Sequence, residues 1–540
     1  MLAKSYRYAY YGSMRIISTL AAIFLATISR GADDGATAFA EDRPNIIFFL
    51  TDDQRNDFLG CTGHSLVKTP NIDGLAARGV LFENAFVTTS ICAASRASLL
   101  TGLYERTHRY TFKRPPIARV HTDESYPALL KKDGYHTGFI GKFGVGVRKG
   151  AKDSMFDVFI PLGRNPYFHK QADGSLRHET EVAADKAIGF LRGAKQASVP
   201  FCLSVSFNAS HAEDGDKKNH FPYPKAVAGL YEGVRMPPPK LADPVVFEAH
   251  PEFLKKSINR QRYFWRWDTE EKYQHNMRNY LRMISGIDGA IGRVLDTLKQ
   301  LGMADNTVVI YMADNGYYAA SRGFAGKWSH YEESQRVPLI IFDPRLAAAK
   351  RGRREKQVVL NVDIAPTIVS LADGRVPEGY QGRDLCGVIN SVKEGEGRGD
   401  FFCEHRMDHS TIPKWEGVRG ERFKYARYYE QNPPFEFLHD LNGDPMELKN
   451  LAKQPRFREQ LDRMRKRCDA LSSKYNKQAQ GDALRALEKV QFGVLEQGQH
   501  GNTEDVISEA LALDPESPDA RLARADFHEK AGRIGKALKD

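Results

Sequence analysis

Asn45-Ile46-Ile47-Phe48-Phe49-Leu50-Thr51-Asp52-Asp53-Gln54 is an apolar, β-branched and aromatic run that stops on two adjacent carboxylates. Without polar alternation, such a run reads as a strand covered on both faces, as in a parallel sheet. Phe201–Phe207, Thr307–Met312 and Val337–Phe342 repeat the pattern, and helix-like stretches such as Thr180–Arg192 and Met283–Leu301 lie between them. Strands alternating with helices predict an α/β sandwich, in which ligands gather at the carboxyl ends of the strands.

Those strand ends carry chemistry. The first runs into Asp52 and Asp53, and a later one into Ala313-Asp314-Asn315-Gly316. Three carboxylates and an amide oxygen suit a hard cation such as Ca²⁺ or Mg²⁺. Taken singly, Asp-Asp also caps helices and Asp-Asn-Gly also makes turns. A third stretch, Thr88-Thr-Ser-Ile-Cys92-Ala-Ala-Ser-Arg96-Ala-Ser-Leu-Leu-Thr-Gly102, sets a cysteine and an arginine four apart where a loop becomes a helix. That spacing offers an anion the free N–H groups of a helix N-terminus and a facing guanidinium. In isolation, C-x-x-x-R reads instead as a small buried cysteine beside a surface arginine.

The longer pattern C-x-[PA]-S-R-x-x-L-x-T-G resembles the signature of the type I, formylglycine-dependent sulfatases of the alkaline phosphatase superfamily, and the resemblance extends along the chain. Thr69-Pro70-Asn71-Ile72-Asp73-Gly74-Leu75-Ala76 is similar to the family's T-P-N-x-D-x-L-A segment, and Gly141-Lys142-Phe143-Gly144-Val145-Gly146 to its G-K-W-H-x-G. His211 sits where the family has a histidine at a strand end, and Gly326-Lys327-Trp328, followed by Arg336-Val337-Pro338, matches the segment with its second sulfate-binding lysine. The match spans roughly Asn45 to Leu471, with the motifs in the family's order.

The resemblance implies a large mixed, mostly parallel sheet sandwiched by helices, with a small C-terminal subdomain. It implies that Cys92 is converted to formylglycine by a formylglycine-generating enzyme, and that Asp52, Asp53, residue 92, Asp314 and Asn315 hold calcium. One hydroxyl of the hydrated aldehyde would attack sulfur and the other would later expel sulfate. Arg96, Lys142 and Lys327 would stabilise charge on the sulfuryl oxygens, and His211 would protonate the leaving alcohol. His64, His121 and His275 gain no such role and read as ordinary core or surface histidines. Gly144 departs from the pattern, since the family has a histidine there; His330 or a water is the expected substitute.

The 540 residues are enough for more than one domain, and the excess of 78 Lys and Arg over 68 Asp and Glu, net +10, favours anionic partners. The charge forms no dense tract, so nucleic acid is not indicated. Lys4, Arg7 and Arg15, the apolar stretch Ile16–Ile28 and Ala38-Phe39-Ala40 predict a secretory leader over 1–40, with an uncleaved anchor as the alternative. No other segment reaches the roughly 20 apolar residues of a membrane span, so the expected product is secreted or periplasmic. Six scattered cysteines do not make a disulfide scaffold; Cys386 with Cys403 is the candidate bridge.

The expected organisation is a catalytic domain over 41–399, an antiparallel sheet plus helix over 400–476, and a helical tail over 477–540. The sheet is read from Arg422–Ala426 and Glu436–Leu441, and the helix from Arg456–Lys474. Between Asn219 and Tyr280, Phe221, Tyr223, Phe264, Trp265 and Trp267 suit either stacking on sugar rings or packing of an insertion. In the tail, Gly498 and Gly532, Ala510-Leu-Ala-Leu-Asp-Pro515, Ala520, Ala523, Ala525 and Ala531 resemble a tetratricopeptide repeat that could meet a protein partner. Fewer than two repeats are visible against the roughly three a solenoid needs, so generic amphipathic helices are an equal reading. The leading function is a sulfatase acting on a sulfated carbohydrate. The alternatives are a phosphodiesterase or phosphonate hydrolase of the same superfamily, and a glycan-binding pseudoenzyme.

Overall fold

The computed structural model describes residues 43–391, 397–497 and 500–530. The leader expected over 1–40 lies outside them, as do Gly498, Ala531 and Gly532.

The main sheet has eight strands: β1 (Asn45–Thr51), β2 (Val80–Phe86), β3 (His136–Gly141), β4 (Val158–Pro161), β5 (Phe201–Ser206), β6 (Thr307–Ala313), β7 (Arg336–Phe342) and β8 (Arg353–Leu360). Their spatial order is β8-β2-β7-β6-β1-β5-β3-β4. Strand β1 is paired in parallel on both sides, Phe48 lying opposite Ser204 of β5 and Ile310 of β6. The expectation that Val337–Phe342 runs parallel is corrected: β7 is antiparallel to both β2 and β6. A strand buried on both faces shows the same apolar run whichever way its chain points.

Alternation along β1 divides the core. Ile47 and Phe49 face one layer, with Ala183 and Leu191 of the Glu179–Ala197 helix and Ile284 and Ile291 of the Glu270–Gln300 helix. Ile46, Phe48 and Leu50 face the other, against Leu130 and Ile368. Helices therefore cover both faces, and only the strand ends are open to ligand.

A second, antiparallel sheet contains β9 (Asp400–His405), β10 (Trp415–Gly420), β11 (Phe423–Tyr428) and β12 (Phe435–Asp440). The helix expected to stop near Lys474 runs from Arg458 to Gln497. Leu461, Met464, Cys468, Leu471 and Tyr475 follow one helical face and pack on this sheet. Further along, Ala483 and Leu487 bury against Ile507, Ala510 and Leu513 of the His500–Leu513 helix, and this burial carries the helix past Gly481.

That tail helix also touches the main body. Glu509 accepts a hydrogen bond from Arg119 N (2.8 Å) and lies 3.3 Å from Arg148 Nε, while His121 pairs with Asp482 at 3.0 Å. The expected Cys386–Cys403 bridge is absent and all six cysteines are free thiols. Cys386 opens a short helix with its sulfur against Thr367 O, whereas Cys403 is fully buried in the core of the second sheet. Among the described residues no helix is long and apolar enough to cross a membrane.

Candidate active site

The carboxyl ends of β1 and β6 bring the two acidic motifs together. Asp52 N donates to Ala209 O (3.1 Å) and Ser210 N to Asp52 O (2.9 Å), which continues the β1–β5 alignment beyond the sheet. Asp53 then adopts φ +55°, a left-handed conformation that Asp tolerates better than most residues. Its carbonyl accepts from Tyr280 Oη (2.8 Å), its N–H donates to Asp314 Oδ1 (3.3 Å), and its Oδ1 accepts from Asn315 Nδ2 (2.7 Å).

Cys92 is the first residue of the helix Cys92–Thr101, all ten residues of which are buried. Its Sγ donates to Asp52 Oδ1 (3.3 Å) and accepts from Lys327 Nζ (3.1 Å). One turn on, Arg96 Nε bonds Asp314 Oδ2 (2.7 Å), and its Nη1 donates to Lys142 O (2.6 Å) and Ser206 Oγ (2.5 Å). Lys142 Nζ bonds Asp52, and Lys327 Nζ bonds Asp53.

Both lysines follow a glycine that no other residue could replace without movement. Gly141 has φ +103°, and a Cβ there would fall 1.9 Å from Ser206 O; Gly326 has φ +104°, and its Cβ would fall 2.6 Å from the Trp328 ring. The Gly-Lys pairs visible in the sequence are thus the backbone condition for aiming each ammonium.

His211 completes the group. Its Nδ1 lies 2.7 Å from Ala212 O, which fits an Nδ1–H donor, and Nε2 faces Asp53 Oδ2 at 3.5 Å. Tyr167 Oη fixes the backbone here by donating to His211 O (2.5 Å) and Asn208 O (3.0 Å). Asp52, Asp53, Cys92 and His211 each offer a ligand atom within 4.8 Å of the others.

Burial alone would raise the pKa of Asp52, but Lys142, His211, Lys327 and Arg96 together hold it well below the usual range. Asp314, with burial and the Asp52 charge against it, is pushed up to about 6. Burial and Asp52 push the Cys92 thiol up to about 12, so the unmodified side chain is a protonated thiol. Burial and then Arg164 hold His211 well below 6.5.

The donor set fits a hard divalent ion. Asn315 Nδ2 is committed to Asp53 Oδ1 and Gly316 O, which fixes the amide and leaves Asn315 Oδ1 buried without a hydrogen-bond partner. With the carboxylates of Asp52, Asp53 and Asp314 alongside, the oxygens are those that Ca²⁺ or Mg²⁺ takes.

Every residue expected at the site is therefore in this one cluster. Gly144 is beside it, where a Cβ would come 3.0 Å from Arg96 Cδ. His330 is not: its Nδ1 pairs with Tyr428 Oη (2.9 Å) and its Nε2 with His439 (3.3 Å) in the core of the second sheet, so it is withdrawn as a substitute for the family histidine. Phe221 and Trp267 are core residues in contact with one another, whereas Phe264 and Trp265 are 50% and 39% exposed. Ser206, Tyr167, Tyr280 and Arg164 were not legible from sequence, because each reaches the site through the fold rather than through a motif.

A family model described as Sulfatase matches residues 44–374, and one described as N-sulphoglucosamine sulphohydrolase, C-terminal, matches 321–474. An N-acetylglucosamine-6-O-sulfatase of Bacteroides thetaiotaomicron is 28% identical over 469 residues, covering 76% of this chain and 82% of the relative. A mouse iduronate 2-sulfatase is 29% identical over 399 residues, covering 63% and 70%. In fold, the chain is similar to a solved structure in complex with its substrate D-glucosamine-2-N,6-O-disulfate, with TM-score 0.70, 24% identity, and 81% and 98% of the two chains covered. It is also similar to a phosphonate monoester hydrolase of Agrobacterium radiobacter, with TM-score 0.66, 22% identity, and 80% and 96% covered. The fold alone is thus shared between sulfur and phosphorus chemistry. With more than half its length matched by the Sulfatase model, and with the cysteine, the lysines and the acidic motifs drawn into one buried cluster, the chain belongs to the sulfatase family, sulfuric ester hydrolases that generally use a formylglycine and a divalent metal.

Proposed function

We propose that the protein releases sulfate from a sulfated carbohydrate, using the formylglycine derived from Cys92 with Ca²⁺ held by Asp52, Asp53, Asp314, Asn315 and residue 92. The observation that carries this reading is the place of Cys92: a buried helix N-terminus, with its sulfur against Asp52 and Lys327 and with Arg96 one turn away. When bound, the cation supplies a Lewis acid for a sulfuryl oxygen and lowers the pKa of a coordinated hydroxyl. The hydrated aldehyde supplies two hydroxyls, one to attack sulfur and one to expel sulfate.

The remaining work falls to side chains already in place. Lys142, Lys327 and Arg96 enclose the position of the sulfuryl oxygens and are fixed by Asp52, Asp53 and Asp314, so little reorganisation accompanies charge development. His211, held through Nδ1–H, presents a bare Nε2, which would take up a proton when the anionic substrate binds and then give it to the leaving alcohol. Relatives named for N-acetylglucosamine, iduronate and ulvan support a sugar as the alcohol. Within this reading, 1–40 is the leader of a secreted or periplasmic protein, 41–399 supply the site, 400–476 close it, and 477–540 form the tail.

The test is the mass of the peptide containing residue 92, from protein made in its native host, with sulfate release from a panel of sulfated sugars and phosphate or phosphonate esters run in parallel. Aldehyde at 92 with faster sulfate than phosphate release is expected. An unmodified thiol in the native host would overturn the catalytic reading, and faster phosphoester cleavage would replace it with the phosphonate hydrolase one.

A further inference from the structure

The turn after β4 is tied to both sides of the site. Leu162 N donates to Gly141 O (3.0 Å), next to Lys142, and Leu162 O accepts from Asn208 Nδ2 (3.0 Å). At the other end Tyr167 holds His211 O (2.5 Å). Arg164 lies between these anchors, near enough for its charge to act on His211. Its Nε is buried without a hydrogen-bond partner, and among the described residues no carboxylate lies within ion-pair distance of its guanidinium. Asp214, a carboxylate whose charge reaches Arg164, is already taken by Arg262 Nη2 (3.0 Å) and by Arg266.

Arg262 is a second guanidinium with an open donor, although its Nη2, unlike Arg164, has a carboxylate partner in Asp214. It lies 5.0 Å over the ring of Trp328, the neighbour of Lys327, and its Nε is also buried and without a partner. The cations expected to hold the transferred sulfate are matched by acids: Lys142 by Asp52, Lys327 by Asp53, Arg96 by Asp314. Arg164, unmatched by any acid, brings an unmade N–H donor to the His211 side, where the leaving alcohol is expected, and Arg262 brings another beside Trp328. Buried donors left unmade are unfavourable until a ligand completes them, and a guanidinium fork matches the two oxygens of an oxyanion. The influence of Arg164 on Asp52, Cys92 and His211 agrees with this position.

We propose that Arg164 and Arg262 read a second anionic group, a carboxylate or a further sulfate, on the sugar whose sulfate ester is cleaved. The inference rests on the sulfatase reading and names its substrate class: a saccharide carrying at least two acidic groups.

The experiment compares kcat/KM of the modified full-length protein on three sugars: one monosulfated and otherwise neutral, the same sugar with a second sulfate, and the same sugar with a carboxylate. It is repeated for Arg164→Gln, Arg164→Lys and Arg262→Gln, with melting midpoints recorded to establish folding. The native protein is expected to prefer one of the doubly charged sugars, and which one tells sulfate from carboxylate. Arg164→Gln should reduce that preference by about 10–100-fold, mainly through KM, with partial rescue in Arg164→Lys. A native protein without preference, or a preference that survives both glutamine variants, overturns the inference. If no sugar is turned over, the sulfatase reading is what fails; calorimetric binding of the same sugars to the Cys92→Ala chain, with and without Arg164→Gln, then decides the inference, equal affinities counting against it.

Discussion

Two buried charge networks in this molecule are built to different rules. At the carboxyl end of the main sheet, Arg96, Lys142 and Lys327 meet Asp314, Asp52 and Asp53, yet Asn315 Oδ1 and Arg96 Nη2 are buried with no hydrogen-bond partner. Under the second sheet, Lys424 is fully buried between Glu332 (3.1 Å) and Glu447 (2.9 Å), and Arg322 pairs with Glu333 (3.0 Å). The second network satisfies charge with charge: even Glu447 Oε1, buried without a hydrogen bond, faces the Lys424 ammonium at 2.9 Å. The first holds strong groups at fixed positions and leaves an acceptor and a donor open. Burial and charge pairing therefore do not by themselves mark a site; open valences in a paired network do.

The contrast sharpens into measurable differences. Cys92→Ala should lower sulfate release by about 10⁴-fold or more while leaving the melting midpoint within a few degrees, since the nucleophile is lost and the packing is not. Retained release would break the comparison at its strongest point. Lys424→Met should do the reverse: it strands two buried carboxylates and should cost about 3–5 kcal/mol in urea unfolding, with release per folded molecule preserved. A variant as stable as the parent would mean that the second network is not structural.

Asn315→Ala removes the open oxygen. Calcium affinity by calorimetry should fall about 10–100-fold, while stability in chelator-treated buffer holds. Equal calcium affinity would remove Asn315 from the metal set.

The smallest effect concerns acid. Burial pushes His178 down to about 4, and His250, His405 and His439 down to about 3, from an ordinary 6.5. Each is neutral in the folded chain and charged in the unfolded one as pH drops below 6.5. Stability is therefore complete above about pH 6.5 and is lost toward pH 4 and then 3, at up to about 1.4 kcal/mol per pH unit for each histidine. His405 and His439 belong to the second sheet, so melting midpoints that stay flat from pH 6.5 to 4 would show that this region does not depend on neutral imidazoles.

What could be read in advance follows the same division. Asp52, Asp53, Cys92, Asp314, Asn315 and the two Gly-Lys pairs lie at strand or helix ends, where a short motif and a local backbone requirement coincide. The direction of β7 was hidden, because a doubly covered strand carries no sign of its direction. The length of the Arg458–Gln497 helix was hidden too, since it depends on partners in the following helix. Arg164 stands in a turn with no motif at all, and only the hydrogen bonds of Leu162 and Tyr167 bring it to His211.

The pairing of β1 with β6 also sets a clock. Asp53 and Asn315, which share a hydrogen bond, are 262 residues apart in the chain. At the usual 5–20 residues per second of synthesis, roughly 13–52 s separate their appearance. Throughout that interval β1 lacks its β6 neighbour and the Cys92 helix lacks Lys327 and Asp314, so the contacts that enclose the thiol are not yet complete. Once β6 takes its place beside β1, residue 92 is only 4% exposed, so a modifying protein meets it far more readily before that step than after.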